Sequence, residues 1–345
     1  MTDIYSQQKR NRRITYSLML GFFIFVILIG LAVDVYTYGD LGVVGYGGSF
    51  RLPVATVIAF AFASINGFTS YFYGASVVTR SLGAEELKFE EPSHKRFRNV
   101  VTEMALASGL PMPKTYVIAD PAPNAFATGR DPAHSVVVVT QGLLDSMDRD
   151  ELQAVVAHEM GHIKTYDILT MTVVTVLVGT VSILSDWAVR TWRYGGIRPR
   201  RSVKGNKGGI HPLILLVIGV FVLLSPLFSR IIAMAVSRNR EYQADASAAL
   251  FTRNPLALAS ALKKIDAYTS PLKNARRATA HLFISDPLHR KLDEKEGLVA
   301  DVFSTHPPIK ERIRRLEAMG YAASGGSPVG TRPGSTGRTP SNGVR

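Results

Sequence analysis

His158-Glu159-Met160-Gly161-His162 is the segment of this chain whose residue types and spacing can do chemistry. On an α-helix, residues four apart share a face, so both imidazoles can point at one metal ion while Glu159 lies beside them, close to a bound water. The chemistry this implies is metal-assisted hydrolysis with a carboxylate as general base. The competing reading is a packed helix with two satisfied histidines. Val155, Val156 and Ile163 supply the apolar residues of such a helix without using either histidine, which leaves both free for chemistry. The chain has no cysteine, which excludes a disulfide framework, an iron–sulfur cluster and any Cys-ligated zinc. A metal bound here must be held by His, Asp or Glu.

Hydrolytic zinc sites need a third protein ligand and an open position for water. The best candidate is Glu241 in Ser237-Arg-Asn-Arg-Glu-Tyr-Gln-Ala-Asp245, where Asp245 lies four residues on along the same helical face. In that arrangement Glu241 ligates and Asp245 accepts a hydrogen bond from a ligand imidazole, fixing its tautomer. Spacing alone leaves a second reading open, a solvated helix face on which Arg240 partners Glu241. His94, His134, His211, His281 and His289 have no ligand-like spacing and read as surface or loop residues. His306, taken by itself, reads as a helix-entry histidine before Pro307.

The elements that must position these residues are mostly helical. Asp148 followed by Glu151 is a capping-box pattern that starts the helix carrying both histidines. Glu85 to Leu110 has helical spacing interrupted at Pro92, and Pro255 to Tyr268 and Pro308 to Met319 also read as helices. Thr115 to Ile118 and Ser135 to Thr140 are short β-rich runs, joined by a Pro/Gly/Asp-bearing stretch over 120–134. The fold class is mainly α with a small β-sheet, within a multi-pass membrane protein.

The membrane assignment rests on four apolar runs. Ile14 to Val33 is 20 residues without a charge, and 28 more lie between Arg51 and Arg80; a span needs about 20. The first exceeds the ~7–15 apolar residues of a signal peptide and no A-x-A site follows, so it reads as a retained anchor. Basic residues flank this hairpin on both outer ends, which places both ends in the cytoplasm. Ile168 to Ser185 and Pro212 to Ser229 are 18 uncharged residues each, at the lower limit for spanning, with a buried hydrophobic hairpin as the alternative. Glu241 must share a compartment with His158 and His162, so this second pair contributes two spans or none.

The chain of 345 residues carries 40 Lys+Arg against 27 Asp+Glu, a net charge of +13. Residues 1–13 hold +3 of it, 188–211 hold +7 and 321–345 hold +3, so the remainder is neutral. The surplus sits in a terminus, a loop and a Gly/Ser/Thr/Pro-rich tail, and no nucleic-acid partner is expected. The organisation read from these patterns is a basic cytoplasmic start (1–13), a transmembrane hairpin (14–79, spans 14–33 and 52–79) and a first catalytic segment (80–167). A second hydrophobic hairpin follows (168–236, segments 168–187 and 212–236 around the basic loop 188–211), then a second catalytic segment (237–320) and a disordered tail (321–345).

His158-Glu-Met-Gly-His162, then Arg240-Glu-Tyr-Gln-Ala-Asp245, then Ser304-Thr-His-Pro-Pro308, together with Pro123-Asn-Ala-Phe-Ala-Thr-Gly129 and Val139-Thr-Gln-Gly-Leu-Leu144, resemble the HtpX family of membrane zinc metalloproteases, gluzincins related to the CAAX prenyl proteases. The resemblance spans about residues 14–320. It implies one Zn2+ held by His158, His162 and Glu241, with Glu159 as general base, Asp245 behind a ligand, and His306 stabilising the oxyanion. It also implies that Asn124, Ala125 and Phe126 belong to an edge strand, Asn124 to Thr128, on which a substrate backbone pairs. The implied function is endopeptidase quality control of misfolded or damaged membrane proteins, part of a stress response, from a multi-pass protein of the cell membrane with its site on the cytoplasmic side. Two other readings compete. One is a processing protease for a specific membrane or prenylated substrate, against which four hydrophobic segments are too few to enclose a CAAX-type chamber. The other is a non-enzymatic scaffold with structural zinc, against which stands the offer of three ligands where a closed site takes four.

Overall fold

The computed structural model describes residues 4–38, 52–88, 90–194, 238–276, 278–288 and 307–323. His211, His289 and His306, the basic loop from residue 195, the apolar segment 212–236 and the tail from 324 lie outside the described residues.

The first apolar run sits in α1 (Ile4–Tyr38), which begins ten residues before the run does. The basic start is therefore helical and continuous with the span. The second run divides at Tyr73 into α2 (Val54–Phe72) and α3 (Gly74–Ser81). Asp34, a carboxylate near the far end of α1, accepts from the backbone N–H groups of Ala55 and Thr56 at 3.0 and 2.7 Å and caps α2. An anion at a helix start satisfies otherwise orphaned donors, which explains an acid in so apolar a hairpin.

A four-stranded mixed sheet follows, formed by β1 (Ala84–Glu86), β2 (Lys114–Ile118), β3 (Ala125–Gly129) and β4 (Ser135–Thr140) in the order β1-β2-β4-β3. The β2–β4 pair is parallel and the other two pairs are antiparallel. Glu85 lies in β1, so the helical reading of 85–110 holds only from α4 (Pro92–Ser108) onward. Pro92 opens that helix at a position where a missing N–H costs nothing. Strand β3 lies within the connector 120–134, where the family resemblance, and not the residue pattern, points to a strand at 124–128. Alternation along the strands divides the core: Ala125, Ala127, Val137 and Val139 face one apolar cluster, and Phe126, Val136 and Val138 face another.

The first face packs on α4 and on α6 (Arg149–Lys164), which is joined to β4 by α5 (Gln141–Ser146). The opposite face packs on α3 and on α7 (Asp167–Tyr194). Three further helices, α8 (Arg238–Thr252), α9 (Pro255–Ala267) and α10 (Ile309–Ala323), close the first core around α6. Among the described residues, α1, α2 and α7 are long and apolar enough to cross a membrane. They pack together through Phe22, Val26, Ala63, Leu169, Val173 and Leu177. The hydroxyls of Thr172, Thr175 and Thr180 return to the carbonyls four residues back on α7, at 2.6 to 2.9 Å, so these polar groups are satisfied within the helix.

The turn from β4 into α5 is fixed by backbone crowding. A Cβ on Gly142 would collide with the backbone of Pro121, its carbonyl oxygen foremost, and Gly142 donates its N–H to Asp120 O at 2.9 Å. Gly142→Ala is expected to destabilise the protein by about 1–3 kcal/mol, measured as a lowered thermal midpoint in detergent.

Candidate metal centre

Helix α6 begins with the capping box read from the sequence. Asp148 accepts from the Glu151 N–H at 2.8 Å, and Glu151 accepts from the Asp148 N–H at 2.9 Å. Glu151 is buried and also takes hydrogen bonds from Ser260 (2.7 Å) and Lys264 (2.6 Å) of α9, which fixes the start of α6 against its neighbour. Two turns on, His158 and His162 share the face turned toward α8.

What lets α8 approach is Gly161. A Cβ there would meet Ser247 Cβ at 3.1 Å and Ala244 Cα at 3.2 Å, so the two helices cross where both carry small residues. The approach brings Glu241 onto the histidines. Among the described residues, His158, His162 and Glu241 form the one group able to hold a metal ion, with their ligand atoms within 4.8 Å of one another. Glu241 is 1% exposed, so the solvated-face alternative does not describe it. Arg240 turns away from it to Asp167, at 3.4 Å.

The donor set fits a tetrahedral divalent ion. His158 Nε2 and His162 Nε2 are 3.2 Å apart, and they lie 3.7 and 3.6 Å from the Glu241 oxygens. Bonds of about 2.0–2.1 Å in a tetrahedral zinc site put neighbouring ligand atoms about 3.3–3.4 Å apart. Behind the histidines, His158 Nδ1 lies 2.9 Å from Asp245 and His162 Nδ1 lies 3.3 Å from Asp167. Each carboxylate favours the tautomer with the proton on Nδ1 and directs the Nε2 lone pair at the centre. Asp245 thus sits behind His158. The matching residue behind His162 is Asp167, which the sequence marks only as the boundary of an apolar run.

Arg312, on α10, is the second residue that spacing does not reveal. It is fully buried and grips Asp245 with two parallel hydrogen bonds, Nε to Oδ2 at 2.9 Å and Nη2 to Oδ1 at 2.7 Å. Its Nη1 donates to Ile284 O at 2.9 Å and lies 3.3 Å from Glu241. The buried cluster therefore holds four carboxylates (Glu159, Asp167, Glu241, Asp245) and two guanidiniums (Arg240, Arg312). With neutral imidazoles, two negative charges are in excess, the complement of a divalent cation.

The titration of the cluster responds to that excess. Burial, reinforced by Glu241, pushes Glu159 up to about 7 against the pull of His162 and Arg312. Burial disfavours charge on His162, yet the hydrogen bond to Asp167 and the negative charge of Glu241 outweigh it and raise the pKa to about 9. Burial together with Arg312 holds His158 below its ordinary value, despite Asp245. Asp245 is lowered because Arg312 and His158 overcome the cost of its burial.

The backbone of Ala127 in β3 also acts on Glu159, opposing the rise in its pKa, so the carboxylate lies near that strand. Asn124 immediately precedes this strand, and Ala125 and Phe126 begin it, at the edge of the sheet. The strand is buried: Ala125 O accepts from Ile284 N at 3.0 Å, Asn124 Nδ2 donates to Ser285 O at 3.1 Å, and Gly129 N donates to Thr172 at 3.0 Å. The remaining described histidines are away from the centre. His134 is a surface residue paired with Asp131. His94 and His281 are buried, contrary to the surface or loop reading. Hydrogen bonding accounts for both: His94 accepts from Lys88 N at 3.0 Å, and His281 lies 3.1 Å from Thr175 Oγ1.

The chain is similar in sequence to known proteins over most of its length. Residues 92–320 match peptidase family M48. A protease HtpX homolog from Thermoanaerobacter pseudethanolicus is 40% identical over 318 residues, covering 92% of this chain and 98% of that protein. One from Tropheryma whipplei is 40% identical over 317 residues, covering 92% and 99%. The crystal structure of S. mikatae Ste24p aligns with a TM-score of 0.47 and 19% identity over 91% of this chain and 67% of that one. The chain belongs to peptidase family M48 and is a membrane metalloprotease related to protease HtpX.

Proposed function

We propose that the chain is a zinc-dependent endopeptidase that removes misfolded or damaged membrane proteins, with Glu159 as its general base. The observation that carries this reading is the convergence of His158, His162 and Glu241 beside Glu159 in one buried, charge-matched cluster. His158, His162 and Glu241 would hold the zinc ion, which would supply Lewis acidity at that point. Glu159 takes the proton of the attacking water and returns it to the leaving amine. Asp245, clamped by Arg312, and Asp167 hold the two imidazoles in position. His306 is assigned to the oxyanion by the family resemblance.

The substrate strand is assigned to 124–128. The backbone of Ala127 in that strand is near enough to Glu159 to lower its pKa, which supports pairing of a substrate backbone within reach of the base. Such pairing would displace the contacts from Ile284 and Ser285. The domain scheme follows the same logic: residues 80–167 and 237–320 build one catalytic unit around an intervening hydrophobic hairpin. Lys9, Arg10, Arg12 and Arg13 lie on the part of α1 that contacts the end of α6. By the positive-inside tendency this supports a centre on the cytoplasmic side of the cell membrane, where loops and extracted segments of membrane substrates arrive.

Glu159→Gln is expected to cut cleavage of unfolded membrane proteins by about 10²–10⁴-fold while zinc content stays at one per chain. Survival of both zinc and cleavage overturns the reading. Asp245→Asn is expected to weaken zinc affinity by about 10–100-fold, read by chelator competition. A cysteine at Gly205 is expected to be labelled by an impermeant reagent only from outside the cell, giving four spans. Labelling only from inside would make the second hairpin monotopic.

A further inference from the structure

The turns of α1 that precede its apolar run present Gln8, Asn11 and Thr15 on one face, and this face lies on the junction of α6 and α7. Gln8 Nε2 donates to Lys164 O at 2.8 Å, and Asn11 Nδ2 donates to Thr165 O at 2.9 Å. These are last-turn carbonyls of the helix that carries His158 and His162, which have no partner within their own helix. The junction itself turns through Tyr166, a non-glycine residue at φ 61°, a backbone conformation that costs about 1–2 kcal/mol. Arg12 covers its ring, with Cζ 4.3 Å from the centroid. One turn further on, Thr15 Oγ1 and Thr170 Oγ1 are 2.9 Å apart.

Asn11 does more than dock the helix. Its Nδ2 also donates to Asp167 Oδ1 at 2.6 Å. The other oxygen of that carboxylate, Oδ2, accepts from Thr165 Oγ1 at 2.9 Å and faces His162 Nδ1 at 3.3 Å. Both acceptors of Asn11 are oxygens, so the amide orientation is set by its surroundings. Arg240, at 3.4 Å, is the other described group on Oδ1. Asn11 is 1% exposed and Asp167 is 3% exposed. Hydrogen bonds of this length between buried groups fix the rotation of the carboxylate, and with it the side presented to the imidazole.

We propose that Asn11 is a positioning residue for His162, acting through Asp167, so that the first membrane helix contributes a side chain to the support of the metal centre. The inference rests on the reading of His158, His162 and Glu241 as metal ligands. It assigns a role in metal binding to a residue about 150 positions away in the chain, in the basic stretch before the first span.

The test is zinc affinity by chelator competition on the full-length chain in detergent, for wild type, His162→Ala, Asn11→Leu, Gln8→Ala and Thr15→Val. Asn11→Leu is expected to weaken affinity about tenfold, the lower end of the range for groups behind a ligand. Gln8→Ala and Thr15→Val, which remove docking contacts without touching Asp167, are expected to stay within about twofold of wild type. If Asn11→Leu does not fold by circular dichroism and gel filtration, Asn11→Ser, too short to reach Asp167, takes its place. Wild-type affinity in the Asn11 variant, or equal losses in all three α1 variants, overturns the inference. If wild type binds no zinc, or His162→Ala keeps wild-type affinity, it is the ligand assignment that fails.

Discussion

Burial of charge is the constraint on which the structure around His158 and His162 depends. Four carboxylates and two guanidiniums are withdrawn from water in one cluster, and an unpaired ion in such a place costs several kcal/mol. Each charge therefore needs a specific partner at hydrogen-bonding distance. Asp245 has Arg312 and His158; Asp167 has His162, Thr165, Asn11 and Arg240. With both imidazoles neutral and Glu159 ionised, as they would be around a bound dication, the remaining excess of two negative charges matches the charge of that ion.

That requirement recruits elements from nearly the whole chain. Helix α6 supplies the imidazoles and Glu159, α8 supplies Glu241 and Asp245, α10 supplies Arg312, α7 begins with Asp167, and α1 brings Asn11. The sheet brings the Ala127 backbone near Glu159. None of these helices could be shifted by one turn without leaving a buried charge unpaired, so packing and electrostatics fix the same geometry. Gly161 and Ala244 show the steric half of this: small residues at the α6–α8 crossing let a carboxylate from one helix reach two histidines on the other.

The parts of this centre that sequence discloses are those set by local periodicity. The two histidines, Glu159 and the capping box lie within one helix, where i, i+3 and i+4 relations are readable directly. Glu241 was ambiguous because a carboxylate beside an arginine on a helix has two equally good local explanations, and only burial separates them. Asp167, Arg312 and Asn11 were illegible for a stronger reason. Their roles come from tertiary contacts between residues far apart in the chain, and Asp167 also resembles a simple boundary of an apolar run. Among the elements, α1 extended further than its apolar run because charge limits a membrane span and not a helix. Strand β3 was legible only through the family resemblance, because two alanines and a glycine dilute the β signal of Phe126 and Thr128 and the strand, buried on both faces, shows no alternation.

The central claim is that His158, His162 and Glu241 hold one divalent ion. Zinc K-edge X-ray absorption of the purified, zinc-loaded full-length chain tests it most directly. The account predicts one zinc per chain with two imidazoles and oxygen donors at about 2.0–2.2 Å, and loss of one imidazole contribution in either His158→Ala or His162→Ala. A spectrum without imidazole scattering, or one unchanged in both variants, would contradict it.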